Sequence, residues 1–179
     1  MIGTAENYAD ALFELAQSES LEDQLLPQLT GAERLFAQNP DYYRLLDAAN
    51  VPLSERLSAL DEAFSGRVHT YLLSFLKLLC ERGRIRDLSA CERRFRKRYN
   101  AEHGIIEATA VTAIPLRPEL QKKLSYRLAG LTGKQVDLRN RVDPSVLGGI
   151  RLEYEGRELD GTVRQRLDGI SKTLSETVL

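Results

Sequence analysis

The sequence is poor in the residue types that build metal centres and disulfide networks. Its 179 residues include two cysteines and two histidines. Cys80 and Cys91 fall on apolar faces of predicted helices, so we expect reduced thiols that pack in the core of a cytoplasmic protein. His69 and His103 have no Cys, Asp or Glu at metal-ligand spacing. They therefore predict structural or solvent-facing roles and no metal site.

Long apolar runs are also missing. No stretch approaches the roughly 18 residues that a transmembrane helix needs. The first residues, Met-Ile-Gly-Thr-Ala-Glu-Asn, lack a basic region followed by an apolar core, and they are not Arg-rich. We therefore expect neither a signal peptide nor a transit peptide.

The sequence contains no recognisable catalytic arrangement. Gly133-Lys134 resembles the end of a phosphate-binding loop, but Gln135 replaces its Ser or Thr and Leu128 stands at the earlier glycine position. No nucleophile, base and orienting residue can be assigned from spacing. We expect no catalytic residues and no cofactor, and hence a protein that is not an enzyme.

The net charge of −1 hides an uneven distribution. Residues 1–66 hold twelve acidic and three basic residues, a net of −9, whereas residues 67–103 hold ten basic and four acidic residues, a net of +6. We expect the two segments to attract each other within one helical bundle. Residues 1–33, with seven acids and no base, favour a basic partner.

Apolar spacing predicts six helices before residue 104. Pro, Gly and Asn interrupt the pattern between them. The helices begin near Thr4, Ser20, Pro40, Leu53, Thr70 and Asp87. The first domain, residues 1–104, is thus predicted to be a six-helix bundle.

Helices 1 and 5 are more apolar than a helix with one covered face needs to be. At about 100° per residue, apolar side chains cover about 200° of helix 1 and about 220° of helix 5. The arc of helix 1 has one edge with Tyr8, Ala11 and Leu15 and another with Ala5, Ala9, Phe13 and Ala16. Such helices either occupy the centre of a bundle or line a groove for another molecule, and the pattern alone leaves both interpretations open.

After Gly104 the apolar period changes to that of strands. Residues 105–114, 136–142 and 150–154 alternate, and Glu155-Gly156 predicts a hairpin turn before a return strand over 157–159. A helix is predicted from Pro118 to Gly133, and a last helix from about Gly161 with Val163, Leu167, Ile170 and Leu174 at helical spacing. The predicted fold is mainly α, an N-terminal six-helix bundle followed by a small α/β domain with a mixed sheet over residues 105–179.

Helix 6 carries the basic run Arg93, Arg94, Arg96, Lys97 and Arg98. These side chains could contact phosphates. Because Phe95 and Tyr99 are placed to face inward, we favour a solvated, salt-bridged helix face over a nucleic-acid site.

Three segments carry a family resemblance. They read Tyr-Ala-Asp-Ala-Leu-Phe-Glu-Leu-Ala (8–16), Phe-Leu-Lys-Leu-Leu before Glu-Arg-Gly-Arg (75–84), and Val-Asp-Pro-Ser-Val-Leu-Gly-Gly (142–149) followed by Asp-Gly-Thr-Val-Arg-Gln-Arg-Leu (160–167). In order and content they resemble the delta subunit of the F-type ATP synthase, the oligomycin-sensitivity-conferring protein family. Arg82 departs from the Asn usual in that family, and Tyr154-Glu155-Gly156 replaces a more typical Ile-Gly-Asp hairpin.

The resemblance implies a non-catalytic stator subunit that links the catalytic head to the membrane-anchored peripheral stalk. In this family, helices 1 and 5 form a groove for the amphipathic N-terminal helix of an alpha subunit, and the second domain meets the C-terminal end of the b subunits. Matching positions place Tyr8, Ala11, Leu12, Leu15, Tyr71, Phe75 and Leu78 in the partner-binding groove. The implied location is the cytoplasmic face of the bacterial cell membrane, with membrane contact only through the complex and no nucleic acid bound. A helical adaptor or a nucleic-acid-binding module of another complex is the alternative.

Overall fold

The computed structural model describes residues 4–146 and 148–161. This part of the chain contains seven α-helices, one 3-10 turn and four strands. The helices are α1 (Thr4–Ser18), α2 (Glu22–Gln38), α3 (Pro40–Asp47), α4 (Leu53–Phe64), α5 (Thr70–Glu81), α6 (Leu88–Glu102) and α7 (Pro118–Thr132); the 3-10 turn is Ile85–Asp87; the strands are β1 (Ile105–Thr112), β2 (Gln135–Val142), β3 (Ile150–Tyr154) and β4 (Arg157–Asp160). The chain divides into two compact units between Tyr99 and Asn100.

The helices of the first unit share one apolar core. Each of the helices α1 to α6 contributes at least one fully or almost fully buried side chain to it. At the interface of α1 and α6, Phe13 and Phe95 meet edge to face with ring centroids 5.1 Å apart, a geometry that aromatic pairs favour. The predicted apolar positions of the first six helices therefore pack largely against one another.

Local sequence explains where several helices begin and end. Pro40 lies in the first turn of α3, where its missing N–H leaves no hydrogen bond unmade. His69 is the N-cap of α5, and its Nδ1 accepts a hydrogen bond from the backbone N–H of Tyr71 at 3.3 Å. The structural role predicted for His69 is confirmed. Gly133 ends α7 with φ 70°, a conformation that glycine adopts at little cost.

Two local predictions differ from the structure. The 3-10 turn Ile85–Asp87 between α5 and α6 was not predicted, and it buries Ile85 completely. The first strand ends at Thr112 and not at Ile114. The chain turns there because the Thr112 hydroxyl donates to the carbonyl of Ile114 at 2.7 Å. Next along the chain, the N–H of Leu116 donates to the Asn140 side chain at 2.9 Å.

The second unit is built on a mixed sheet with strand order β2-β1-β3-β4. β1 pairs in parallel with β2, and α7 supplies the crossover that a parallel pair requires. β3 pairs antiparallel with β1 and with β4. The turn between β3 and β4 places Glu155 and Gly156 at φ 45° and 73°, the positive angles of a tight hairpin turn.

The two faces of the sheet have different chemistry. One face packs on α7, where Ile106, Ala108, Ala110 and Leu138 form a small core with Leu128. Cross-strand ion pairs occupy the other face, including Arg141 with Glu153 at 2.8 Å and Arg139 with Glu107 at 3.7 Å. This alternation is the pattern of a half-buried sheet, except at Val111, which lies on the ion-pair face and is fully buried.

The predicted class is confirmed at the level of a mainly helical protein with a four-stranded mixed sheet. The last predicted helix, from about Gly161, lies outside the described residues. Within residues 4–146 and 148–161, no helix is long and apolar enough to cross a membrane. The predicted domain boundary at 104/105 stays a prediction.

Candidate partner-binding site

One side of α1 is closed by α6. Arg94 donates from Nε and Nη2 to the two carboxylate oxygens of Asp10 at 2.8 and 2.9 Å. One turn later, Arg98 contacts Asp10 and Glu14, both at 3.4 Å, and its guanidinium lies 4.6 Å from the ring centroid of Phe13. The attraction predicted between the acidic first segment and the basic second one is confirmed in these contacts.

Another side of α1 is apolar and accessible. We call it the outer flank of α1, formed by Tyr8, Ala11 and Leu15, and it lies roughly 110° around the helix from the Asp10 side. Ala11 is exposed, Leu15 is 39% exposed, and Tyr8 is half-buried with part of its surface on the core. Leu12 differs from these three because it is 4% exposed and belongs to the core.

α5 shows the same arrangement. Lys77 forms an ion pair with Asp61 of α4 at 2.6 Å, which closes one side of α5. Further around the helix, Tyr71 and Leu78 are half-buried. We call these two residues the outer flank of α5. Like its counterpart on α1, it lies roughly 110° from the closed side.

Phe75 was predicted to line the groove next to Tyr71 and Leu78. The structure places it in the core with 6% of its surface exposed. Phe75 and Leu12 can therefore offer a partner only a small edge. Both belong to the hydrophobic core of the first unit.

α2 packs against both α1 and α5. It is tied to the start of α5 because the N–H of His69 donates to the Gln28 side chain at 2.8 Å. α2 is also joined to α6, because the Tyr99 hydroxyl donates to the Asp23 carboxylate at 2.6 Å. The two helices that carry the apolar outer flanks thus both pack against α2.

The electrostatics of the first unit indicate structural ion pairs. The hydrogen bonds from Arg94 lower the pKa of Asp10, with smaller contributions from the charges of Arg94 and Arg98 against the opposing effect of burial. Burial raises the pKa of the Cys91 thiol to about 12 and that of the Cys80 thiol above its usual range. Thiols held in this state are poor nucleophiles, in agreement with the packing role predicted for both.

The basic run of α6 is mostly used inside the chain. Arg94 and Arg98 bind α1, while Arg96 binds Glu92 and donates to Thr30 of α2 at 2.8 Å. Arg93 and Lys97 are exposed, and the described residues form no ion pair with them. In the same part of the chain, no three His, Cys, Asp or Glu side chains are grouped so as to hold a metal ion.

Comparisons with known proteins identify the family. A model of the ATP synthase delta (OSCP) subunit family matches residues 4–174. The chain belongs to this family. The delta subunit of Clostridioides difficile is 31% identical over 97% of both chains, and that of Desulfitobacterium hafniense strain Y51 is 33% identical over 96% of both. The predicted family is confirmed, and with it the function of a stator component of the F-type ATP synthase that is not the catalytic subunit.

Solved structures share the fold at lower identity. A chain of the Toxoplasma gondii mitochondrial ATP synthase hexamer has a TM-score of 0.73 and 22% identity, with 96% of this chain and 97% of that chain covered. A chain of the Polytomella F-ATP synthase, from a refinement of the F1 head and rotor, has a TM-score of 0.53 and 19% identity over 57% of this chain and 90% of that chain. These likenesses support the fold of the delta subunit family.

Sequence reasoning missed two features of the site. It did not separate Leu12 and Phe75, which are buried, from their exposed neighbours, because apolar residue type is the same in both environments. It also missed that Arg94 and Arg98 close one side of α1. The charge asymmetry between residues 1–66 and 67–103 predicted such contacts without indicating which pairs form.

Proposed function

We propose that the first unit binds the catalytic head of the ATP synthase through a groove between α1 and α5. The occupant is the amphipathic N-terminal helix of an alpha subunit, and Tyr8, Ala11, Leu15, Tyr71 and Leu78 contact it. Leu12 and Phe75 form the floor beneath them. The observation that carries the proposal is that α1 and α5 each have one side closed by an ion pair, while the apolar outer flank is largely exposed on α1 and half-buried on α5.

The mechanical requirement explains why such a groove suits the function. Rotation of the central shaft exerts torque on the catalytic ring, and a static link to the membrane stator keeps the ring from turning with it. That link needs tight binding and no reaction. A well-packed apolar contact of about 800 Å² per partner is large enough to support nanomolar affinity.

We propose that residues 105–179 contact the C-terminal end of the b subunits, and that residues 1–104 form the six-helix bundle that binds the head. Family membership supports this division of roles. It also supports a location on the cytoplasmic face of a bacterial cell membrane. Membrane contact is through the complex, because the stator subunit itself only joins head to stalk.

The test is a titration of the full chain with a synthetic N-terminal peptide of the alpha subunit from the same organism. Heat and amide NMR shifts report affinity and location. We expect saturable binding with shifts on α1 and α5. Leu15→Asp is expected to weaken binding at least about tenfold, because the contact buries a carboxylate without a partner.

Leu45 of α3 provides a matched control. It is 39% exposed, the same fraction as Leu15, but it lies outside the proposed groove. Leu45→Asp is expected to leave the affinity unchanged. Equal affinities for the two variants would remove the outer flank of α1 from the site, and shifts confined to other helices would relocate the site.

A further inference from the structure

Three side-chain contacts, which we call rungs, link α1 and α6 at successive positions along two parallel helices. Cys91 donates to the carbonyl of Ala5, Arg94 binds Asp10, and Arg98 reaches Glu14. Residue numbers rise together on both helices, so α1 and α6 run in the same direction. Arg94 and Arg98 are one turn apart, as are Asp10 and Glu14.

Two charged rungs one turn apart determine more than attraction. A slide of α1 by one turn, about 5.4 Å, would leave one carboxylate without its arginine. A rotation by one residue, about 100°, would remove both carboxylates from the interface. The bidentate Arg94–Asp10 pair adds directional geometry, and Arg98 over the Phe13 ring adds a contact between the two rungs. Together these contacts determine where the outer flank of α1 points.

We propose that Arg94 and Arg98 are positioning residues for binding of the catalytic head, acting through Asp10 and Glu14 to orient the outer flank of α1. The inference rests on the proposed function. It adds two residues that touch no partner and yet set the affinity. Their side chains are partly shielded, at 33% and 30% exposure, so solvent screens them less than a fully exposed pair.

The same helix provides controls for charge and for stability. Arg93 and Lys97 carry the same charge, are exposed and have no ion pair among the described residues. Arg96 joins α6 to α2 through Thr30, and among the described hydrogen bonds and ion pairs of Arg96 none reaches α1. Loss of Arg96 should therefore lower stability without turning α1.

The experiment compares full-length variants in the alpha-peptide titration. Arg94→Gln and Arg98→Gln are each expected to weaken binding about five- to twentyfold. Arg93→Gln and Lys97→Gln should leave binding unchanged. Arg98→Lys, which keeps the charge and the stem, should recover part of the loss. In the unbound Arg94→Gln and Arg98→Gln proteins, amide shifts should move at Tyr8, Ala11 and Leu15.

Three readouts separate the possible outcomes. If Leu15→Asp weakens binding but Arg94→Gln and Arg98→Gln behave like Arg93→Gln, the positioning role is wrong and the groove stands. If Arg96→Gln weakens binding as much as Arg94→Gln at equal loss of thermal stability, the effect is general destabilisation and the positioning role is also wrong. If Leu15→Asp has no effect, the proposed groove itself fails.

Discussion

The rings of Phe13 and Phe95 meet edge to face with centroids 5.1 Å apart, in the middle of the interface between α1 and α6. Both side chains are almost fully buried. This pair gives the first helix of the chain a long-range contact with the last helix before the sheet. Interactions of high sequence separation such as this one tie the chain ends of the first unit together.

We predict that Phe95→Ala destabilises the protein by roughly 3–5 kcal/mol, because it removes a fully buried ring and leaves a cavity against Phe13. Urea unfolding followed by circular dichroism measures the change. Leu45→Ala, at an exposed position, should cost less than about 1 kcal/mol. A loss of that small size for Phe95→Ala would contradict the packing described for the core.

Phe75 and Tyr71 should respond differently to truncation, although both were predicted to line the groove. Phe75→Ala is expected to cost roughly 3–5 kcal/mol of unfolding free energy, because Phe75 is in the core. Tyr71→Ala should change stability much less and weaken binding of the alpha peptide. Unfolding and titration of the same two variants provide the measurements. If Tyr71→Ala cost more unfolding free energy and Phe75→Ala weakened binding more, Tyr71 would belong to the core and Phe75 to the groove.

The Asp10–Arg94 pair predicts a defined pH dependence. The pKa of Asp10 is lowered in the folded protein, so the folded state favours the ionised carboxylate. The stabilisation is present above the unfolded pKa of about 4 and is lost as the pH falls through the folded value. Asp10→Asn should therefore reduce stability at neutral pH and have a shrinking effect below about pH 4.

Urea unfolding of the native chain and Asp10→Asn across this range is the measurement. Glu19, an exposed acid beyond the end of α1, provides the control variant Glu19→Gln. If the difference in unfolding free energy between Asp10→Asn and the native chain stayed constant down to the lowest pH, ionisation of Asp10 would contribute nothing to stability.

β2 is an edge strand of the described sheet, and two side chains of α7 cover its outer side. Gln121 donates to the carbonyl of Leu138 at 2.6 Å, and Ser125 donates to the carbonyl of Val136 at 3.1 Å. The backbone N–H of Gln135 points toward the β1 side, because it donates to the carbonyl of Gly104. Successive residues of a strand direct their backbone groups to opposite sides, so those of Val136 and Leu138 point to the outer edge. Exposed edges promote pairing with other chains.

We predict that Gln121→Leu with Ser125→Ala speeds amide exchange in β2 and raises the tendency to aggregate. The destabilisation should be about 1 kcal/mol for each lost hydrogen bond. Hydrogen exchange and light scattering provide the readouts. Lys122→Ala, on the same helix, should alter neither, and unchanged exchange in the double variant would show that the edge needs no such cover.

A fragment of residues 1–104 is predicted to fold alone. It retains α6 (Leu88–Glu102) as a whole helix, together with the core that α6 shares with α1 to α5. Helical circular dichroism, a cooperative thermal transition and retained alpha-peptide binding are expected. A fragment ending at Tyr99, which cuts the last turn of α6, should be less stable because Tyr99 and its bond to Asp23 lie at the new end. An unfolded 1–104 fragment would contradict the proposed boundary.

The sequence predicted element type well where the apolar period was long, as in α1 and α5, and where Gly or Pro marked an end, as at Pro118 and Gly133. It failed where single side-chain contacts decide. The 3-10 turn at Ile85 depends on burial of that side chain, and β1 stops at Thr112 because of hydrogen bonds made by Thr112 and by the distant Asn140. Such contacts join residues that no local pattern connects.

The sequence by itself determined the family, the order of helices and strands, and the excess of apolar surface on α1 and α5, because these depend on residue type and spacing along the chain. Only the tertiary structure decided which part of that surface is available. Leu12 and Leu15 are the same residue type on one helix, yet one is 4% and the other 39% exposed. The difference arises because Leu12 packs in the core shared by the helices of the first unit and Leu15 does not, and the rotation of a helix about its axis is determined by its neighbours.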